Sequence, residues 1–536
     1  MNKYTIDVYS SAKRFLSDQA AVQREKKQLF QCLIYTFFWG LLAHGYQFLN
    51  SNFSHDSLDG FYGGGREAVH KIELGRFGVP LYRYFLRGWL ETPWIIGILG
   101  LLWLGLALWC ISKVFPKIRN RRSILFFTAG ILSTNLTVTA VAATYMHDFD
   151  CNMLALMFAT LAVLLWKSIS STHHWKAGIL PLLCGIAAIA LSLSIYQSYV
   201  SVAITLILIV LILELLDGAD WKRVFQKGCT GALMLLLGGI AYGIALKASF
   251  ILTDVEPSTA YNSLSVMEKL SIGKIPELVF NTYRDWGERF FHPSTTWLLP
   301  EVFSVINALI CLFVFVLLAV PAVRRCRLQE GALLFCFAAL LPLGMNICYV
   351  LTSGMVHDLM RYANCFVYLL AILLLLQFES ANQNRINPAK RVLSAVIAMM
   401  LFATVWSGVQ TANVAYLKKE LDAQAELSRM TRISMEMDQQ EGYIREETPV
   451  VFVGMDTQRK AGFEGIADIT GMGYTTMIPD DHKSYNSYFR YYLNDPINAV
   501  SLRSSMGLND VIENMPVYPT PGYIRLENGI LIVKVG

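Results

Sequence analysis

Apolar runs close to twenty residues long, separated by short polar stretches, set the frame of this chain. They lie at Leu29–Leu49, Trp94–Val114, Ile124–Ala143, Asn152–Trp166, Gly178–Ser194 and Ser198–Leu216, then at Gly228–Phe250, Leu298–Val320, Ala332–Leu351, Ala363–Phe378 and Val392–Val409. A helix crosses a bilayer core with roughly 20 apolar residues, so the pattern predicts about eleven transmembrane helices. Only 178–216 is ambiguous, being continuous apart from Ser194-Ile-Tyr-Gln-Ser198. Residues 1–28 are polar and mixed in charge and predict an interfacial cytoplasmic segment; the first run is too long for a signal-peptide core and is read as a retained span. Beyond Gln410 the period changes. Asn413–Gln440 is charged and helix-favouring, Thr448-Pro-Val-Val-Phe-Val-Gly454 reads as a buried strand, and Gly522–Leu526 and Ile530–Val535 flank a Glu-Asn-Gly hairpin signal. The predicted fold is an all-α polytopic membrane protein with a small α/β C-terminal domain. Its parts are the segment 1–28, a membrane domain 29–409 with outer loops 50–92 and 251–297, and a domain 410–536.

Composition agrees with that setting. Apolar residues make up 54% of the 536 and charged residues 16%, against about 25% charged in soluble domains. The formal charge of +5 is unevenly placed, so it reports topology and not nucleic-acid binding. Lys113, Lys117, Arg119, Arg121 and Arg122 share one turn; Arg324, Arg325, Arg327, Lys222, Arg223, Lys227, Arg385, Lys390 and Arg391 fall on the same face if the N-terminus is inside. The opposite face receives Ser51–Trp89, Tyr145–Cys151, Ile251–Trp297, Ser353–Arg361 and the tail. The ten cysteines lie almost entirely in apolar runs, none after Cys365, with no CxxC or metal-ligand spacing; they read as small buried hydrophobes.

The candidate chemistry collects on that second face. Ser51–Trp89 carries Asp56, Asp59, Glu67, Glu73, His55, His70 and a ladder of Arg66, Lys71, Arg76, Arg83 and Arg87. Carboxylates accept protons, and arginines hold phosphate through two parallel N–H bonds. Several of these arginines stand close to where the chain enters the membrane, against the positive-inside trend. They either grip an anion or pair with Glu67, Glu73 and Glu91. Tyr145-Met-His-Asp-Phe-Asp-Cys-Asn152 puts His147, Asp148 and Asp150 at a hairpin mouth, a costly place for acids unless they face a wet cavity or a cation; Asp148 is alternatively a helix cap. Tyr196-Gln197 is either a helix-contact pair or a cavity lining. In Met355-Val-His-Asp-Leu-Met-Arg-Tyr362, His357 and Arg361 either reach an interfacial phosphate or Arg361 pairs with Asp358. No residue spacing demands a metal, although a divalent ion bridging Asp56 and Asp150 is compatible with the pattern. Gly63-Gly-Gly-Arg66 lacks the Lys-Ser/Thr of a phosphate-binding loop, and no GxSxG or HExxH occurs.

Together, His55-Asp-Ser-Leu58, Leu74-Gly-Arg-Phe77 with Pro80-Leu-Tyr-Arg83, Asp150-Cys-Asn-Met-Leu-Ala-Leu156, Leu191-Ser-Leu-Ser-Ile-Tyr-Gln-Ser198 and Met515-Pro-Val-Tyr-Pro519 resemble, in order and sidedness, the serotype-converting glucosyltransferases of bacteriophages and bacteria, within the C-type membrane glycosyltransferases. The resemblance spans nearly the whole chain. It implies a multi-pass protein of the bacterial inner membrane, N-terminus cytoplasmic and C-terminal domain periplasmic. The implied donor is undecaprenyl-phosphate glucose, a substrate and not a tightly bound cofactor. The acceptor is a surface glycan such as lipopolysaccharide O-antigen, and a donor synthase and a flippase work alongside. On this analogy Asp56 is the general base, with Asp59 and Asp148 as further acids and Asp150 assisting by position or charge. Arg66, Arg76, Arg83 and Arg361 hold the donor phosphate; His55, His70, Tyr196, Gln197 and His357 line the substrate cavity. Two rivals differ in what they require. A lipid-linked sugar flippase places polar groups along its spans near the midplane, whereas an O-antigen polymerase or ligase requires an oligosaccharide donor.

Overall fold

A computed structural model describes residues 3–50, 54, 57–58, 64–169, 175–258, 272–293, 300–324, 327–380, 388–454, 481–503 and 507–536. The helices in chain order are α1 (Lys3–Leu49), α2 (Gly64–Glu73), α3 (Gly78–Tyr82), α4 (Pro93–Val114), α5 (Pro116–Arg119), α6 (Arg122–Ser133), α7 (Leu136–Thr144), α8 (Phe149–Ile169), α9 (Trp175–Ile195), α10 (Val200–Leu216) and α11 (Trp221–Thr253). Then come α12 (Ile275–Phe291), α13 (Pro300–Arg324), α14 (Leu328–Met345), α15 (Ile347–Leu351), α16 (Phe366–Ser380) and α17 (Pro388–Asp438). Eight helices among the described residues are long and apolar enough to cross a membrane, or nine if α6 and α7, which meet at a 43° bend, make one span. The other two predicted runs lie on α1 and on the shorter apolar helix Tyr362–Phe378.

Three local features depart from the hydropathy pattern. The predicted segment 1–28 and the first span are a single 47-residue helix, because Ala20 to Gln28 consists largely of good helix formers and contains neither Gly nor Pro. The predicted boundary at 410 falls inside α17, a continuous helix of 51 residues. The run 124–143 breaks at Thr134–Asn135. There the Thr134 hydroxyl donates to the Gly130 carbonyl at 2.9 Å and the Asn135 side chain caps α7 by accepting from Val138 N, and such local bonds compete with a continuing helix. The ambiguous stretch 178–216 resolves into α9 and α10, separated by an extended Tyr196 and a 3-10 turn at Gln197–Tyr199.

The core of the bundle is apolar and close-packed around α4, α8 and α10. Gly100 on α4 is required there, since a Cβ at that position would overlap the Phe149 ring. Past α17 the chain forms β1 (Pro449–Val453), α18 (His482–Tyr491), β2 (Asn498–Ala499), α19 (Asn509–Asn514), β3 (Ile524–Glu527) and β4 (Ile530–Lys534). The sheet order is β2-β1-β4-β3, with β1 parallel to β2 and β4 and β3 antiparallel to β4. The β3–β4 turn uses Asn528 and Gly529, both at positive φ, as a two-residue hairpin demands. Phe452 stacks on Tyr485 of α18 at 3.8 Å between centroids.

The segments predicted on one face do meet at one end of the bundle. Ser258 N donates to the Glu73 carbonyl at 3.1 Å, and the Thr137 hydroxyl to the Asp358 carbonyl at 2.7 Å. Leu58, between the first and second helices, is fully buried in the core of the C-terminal unit beside Met430, Ile433, Tyr485 and Tyr488.

Candidate functional site

Three polar clusters occupy that end. The first is built by α2, by the turn that follows α3, and by the acidic motif that opens α8. Glu67 and Lys71, one helical turn apart on α2, face the bundle. Tyr82 ends α3, and Arg83–Arg87 is a single π-turn closed by a 2.8 Å bond from Gly88 N to the Arg83 carbonyl. This widened turn turns Arg83 and Arg87 the same way; such turns recur at functional sites. Arg83 donates to Glu67 Oε1 at 2.5 Å, to Asp148 Oδ1 at 2.5 Å and to the His147 carbonyl at 2.8 Å. Lys71 Nζ pairs with the other oxygen of Asp148. Arg87 Nε donates to Asp150 Oδ2 at 2.9 Å and its Nη2 to the His147 carbonyl. Tyr82 donates to the same Asp150 oxygen at 3.1 Å while accepting from Trp103 Nε1 at 3.0 Å, and Cys151 N donates to Asp150 Oδ1 at 2.9 Å.

Asp148 and Asp150 are both buried and fully engaged. Arg83 and Arg87 are thus paired, but of the three acids weighed from sequence only Glu67 takes part, with Arg83; Asp148 and Asp150 supply the rest. Burial opposes the charge on Arg83, but Asp148 and Glu67 outweigh it and hold the guanidinium above its usual range. Burial and the Asp150 charge likewise raise the Tyr82 phenol. Donor atoms of Glu67, His147 and Asp148 lie within 4.8 Å of one another. Lys71 Nζ, however, pairs with Asp148 and stands 3.5 Å from His147 Nε2 and 4.0 Å from Glu67. Lys71 and Arg83 already supply the charge a metal would bring, so these residues do not fit a metal ion.

The second cluster surrounds Arg76. Its guanidinium carbon lies 4.6 Å from the centroid of the Tyr196 ring, its Nε is buried without a hydrogen-bond partner, and it makes no ion pair among the described residues. Gln197 donates to the carbonyls of Leu74 and Gly75 at 3.3 and 3.4 Å and to Tyr242 at 3.0 Å, while Tyr242 donates to the Gly75 carbonyl at 3.0 Å. Gly75 has φ of 76°, a conformation that favours glycine. Gln197 thus clamps the turn that aims Arg76.

The third cluster joins two segments far apart in sequence. Arg361 makes a two-pronged pair with Asp285 on α12, with Nη2 3.0 Å from Oδ1, and Asn346 donates to Asp285 Oδ2 at 2.7 Å. Asp358, the partner weighed from sequence, lies 3.6 Å from Arg361 Nε. A cavity of about 100 Å³ beside it is lined by Arg289, Asn307, Arg361, Asn364 and Tyr368.

Of the residues singled out in the sequence, Asp148, Asp150 and Arg83 share one cluster, Arg76, Tyr196 and Gln197 a second, and Arg361 belongs to the third. His357 is half-buried in the loop leading to Arg361. His70 is 60% exposed, lies 3.4 Å from Glu73 and joins none of them. His55, Asp56, Asp59 and the side chain of Arg66 lie outside the described residues; Ser54 and Ser57 on either side of the first two are buried, and the Ser54 hydroxyl donates to the Thr144 carbonyl at 2.6 Å. The roles assigned from sequence left out Tyr82 and Asp285 and gave none to Glu67, Lys71 or Arg87, although these three stand in the charged loop Ser51–Trp89. Glu67 and Lys71 carried a signal in their i,i+4 spacing, as did Arg83 and Arg87; nothing in the sequence linked Asp285 to Arg361.

The sequence model of a family described as Glucosyl transferase GtrII matches residues 45–378, more than half of the chain and all three clusters. No curated protein and no solved structure matches.

Proposed function

Because the chain belongs to the glucosyl transferase GtrII family, we propose that it moves a single glucose from an undecaprenyl-phosphate carrier to a surface glycan of the O-antigen kind, at the periplasmic face of the inner membrane. Family membership implies glucosyl transfer in glycan modification; the carrier, the face and the residue roles are this reading's own. One observation carries it. Arg76 alone among the described arginines assigned to phosphate lacks a carboxylate, and it is held ready over Tyr196.

The acceptor hydroxyl oxygen attacks the anomeric carbon as the bond from that carbon to the phosphate oxygen breaks, and the electron pair leaves with the polyprenyl phosphate. The Arg76 guanidinium stabilises the charge growing on that oxygen, and the carboxylate of Asp56 takes the hydroxyl proton. Direct displacement inverts the anomeric centre. Asp148 and Asp150 act by position, keeping the segment from Tyr82 to Arg87 rigid against α8. Arg361 is a second phosphate contact once Asp285 yields it.

The test is mass analysis of surface polysaccharide from cells expressing the wild type, Arg76→Ala, Arg76→Lys or Asp56→Asn, with one labelled polyprenyl-phosphate sugar supplied at a time. Arg76→Ala and Asp56→Asn are expected to lower hexose addition by about 100-fold or more. Arg76→Lys should retain a fraction, since a lysine offers the charge without the planar fork. Near-normal transfer by Arg76→Ala would remove the assignment.

A further inference from the structure

Two irregular pieces of chain, the bend at Thr134–Asn135 and the paired 3-10 turns at Asp358–Met360 and Tyr362–Cys365, are held against each other in the bundle. The Thr137 hydroxyl donates to the Asp358 carbonyl at 2.7 Å and the Tyr362 hydroxyl to the Leu132 carbonyl at 2.9 Å. Backbone that leaves the helix among membrane spans is tolerated where it is buried in protein or lines a wet cavity. Here it lines one, the cavity of about 100 Å³ beside Arg361, whose remaining wall comes from α12, α13 and α16. A water takes roughly 10–15 Å³ of such space, so the cavity has room for about seven to ten, enough for one sugar ring and too little for two.

Most of the polar wall is fixed from within the chain. The Tyr368 hydroxyl donates to Asn307 Oδ1 at 2.9 Å, while Asn307 Nδ2 donates to the Phe290 carbonyl at 2.7 Å. Asn135 is spent on the bend, donating to the Leu132 carbonyl at 2.9 Å and accepting from Val138 N at 3.3 Å. Two groups keep their capacity. Asn364 Oδ1 is buried without a hydrogen-bond partner, and the exposed Arg289 guanidinium makes no hydrogen bond or ion pair among the described residues. Buried polar atoms in folded proteins are nearly always satisfied, so an unpartnered amide oxygen on a residue that lines a cavity calls for a partner from outside the chain.

The wall itself selects the class of that partner. Its charges are of both signs, Arg289 and Arg361 against Asp358, so a free ion of either sign meets its like. Hydroxyls, which donate and accept, suit a carboxamide and a guanidinium together. Phe290, Tyr362 and Tyr368 add aromatic surface, the rings of Phe290 and Tyr368 standing 5.7 Å apart between centroids. A pyranose ring matches both features, with hydroxyls around its edge and C–H groups on its faces. We propose that this cavity is a sugar subsite that seats one neutral pyranose ring, with Asn364 and Arg289 taking its hydroxyls. The subsite deepens the glucosyl-transfer reading and rests on it for the source of the ring, which is the hexose of the lipid-linked donor or the end of the acceptor glycan.

The experiment uses the full chain in lipid nanodiscs and, as probe, methyl glucopyranoside, read by saturation-transfer NMR. Wild type should bind the glucoside, and Asn364→Leu and Arg289→Met should each bind it about 5- to 10-fold more weakly. Asn364→Leu keeps the side-chain shape and deletes an atom that has no partner, so its unfolding temperature should stand at or above that of wild type. A purely structural asparagine would give the reverse, a lower unfolding temperature with unchanged binding. The lipid-linked glucose donor and a short acceptor oligosaccharide are then added in turn as competitors. Displacement by the donor assigns the ring to the hexose being transferred, and displacement by the acceptor assigns it to the end of the glycan. Displacement by neither overturns the subsite, as does equal binding by wild type and both variants or no binding by wild type. Transfer of labelled glucose, assayed on the same samples, separates the two readings. Glucoside binding that the variants weaken, without transfer by wild type, leaves the subsite standing and sinks the reaction, whereas transfer by wild type with unchanged glucoside binding in the variants sinks the subsite alone.

Discussion

The two ends of the helical bundle handle their basic side chains in opposite ways. At the end that closes α4, Arg119 and Lys117 are 30% and 40% exposed and pair with the partly exposed carboxylates of Glu25 and Asp217 at 2.7 and 3.5 Å. At the other end the Arg83 and Arg87 side chains are fully buried, each against buried carboxylates. Solvent-facing bases ask little of their neighbours. Buried ones must be neutralised from within the chain, and the acids that do so fix Tyr82, Arg83, Arg87 and the start of α8 as one rigid piece. A base that violates the charge bias of its face is therefore informative, since it marks where the chain has built compensation.

The sharpest way to break the comparison is to remove one buried cation. Arg83→Met keeps most of the side-chain volume but leaves Glu67 and Asp148 with Lys71 alone, and breaking a buried pair from one side costs about 3–5 kcal/mol. The expected result is a fall of many degrees in the unfolding temperature of the detergent-solubilised protein, or loss of the folded fraction. A shift within error of wild type would mean that water reaches the cluster.

That network shows where sequence reading stopped. The helices were legible because lipid demands an unbroken apolar run. The break at Thr134–Asn135 was not, because two small polar residues hardly dent the hydropathy of their neighbours. The pairing was not, because Arg83 meets Asp148 across 65 positions, and no local period connects them. Tyr196-Gln197 was legible as a polar interruption, but its use as a clamp on Leu74 and Gly75 depends on a contact across 123 positions. Leu58 is the extreme case, a single leucine in a polar loop whose burial in the C-terminal core follows from no feature of its surroundings in sequence.

Two milder changes probe the same end. Asp285→Asn removes the charge that Arg361 grips with two bonds; hydrogen bonds to charged groups contribute about 1.5–3 kcal/mol each, less in a partly exposed pair. The measurable consequence is earlier proteolysis at α12 than in the rest of the bundle, and uniform protection would show that α12 is held by its apolar face instead. Tyr82→Phe deletes one donor to Asp150 and the acceptor of Trp103, at about 1 kcal/mol. Because Arg87 still neutralises Asp150, hexose transfer should survive with a lower unfolding temperature.

The smallest effect belongs to the exposed end. Arg119→Ala removes one of two cations on Glu25, whose carboxylate is partly exposed. Burial pushes the Glu25 carboxyl upward, but the bonds from Lys113 and Arg119 more than offset that and leave it below its ordinary value. With the folded value depressed, this pair's contribution is present at neutral pH and is lost as pH falls from the ordinary carboxylate range through the lowered one. Surface pairs contribute about 0–1 kcal/mol and are screened by salt. Arg119→Ala should therefore shift the unfolding temperature by no more than a degree or two at pH 7 and low salt, and not at all at high salt or at a pH below the carboxylate range. A loss as large as that of Arg83→Met would show that the two ends are built alike, and the contrast between exposed and compensated bases would have to be given up.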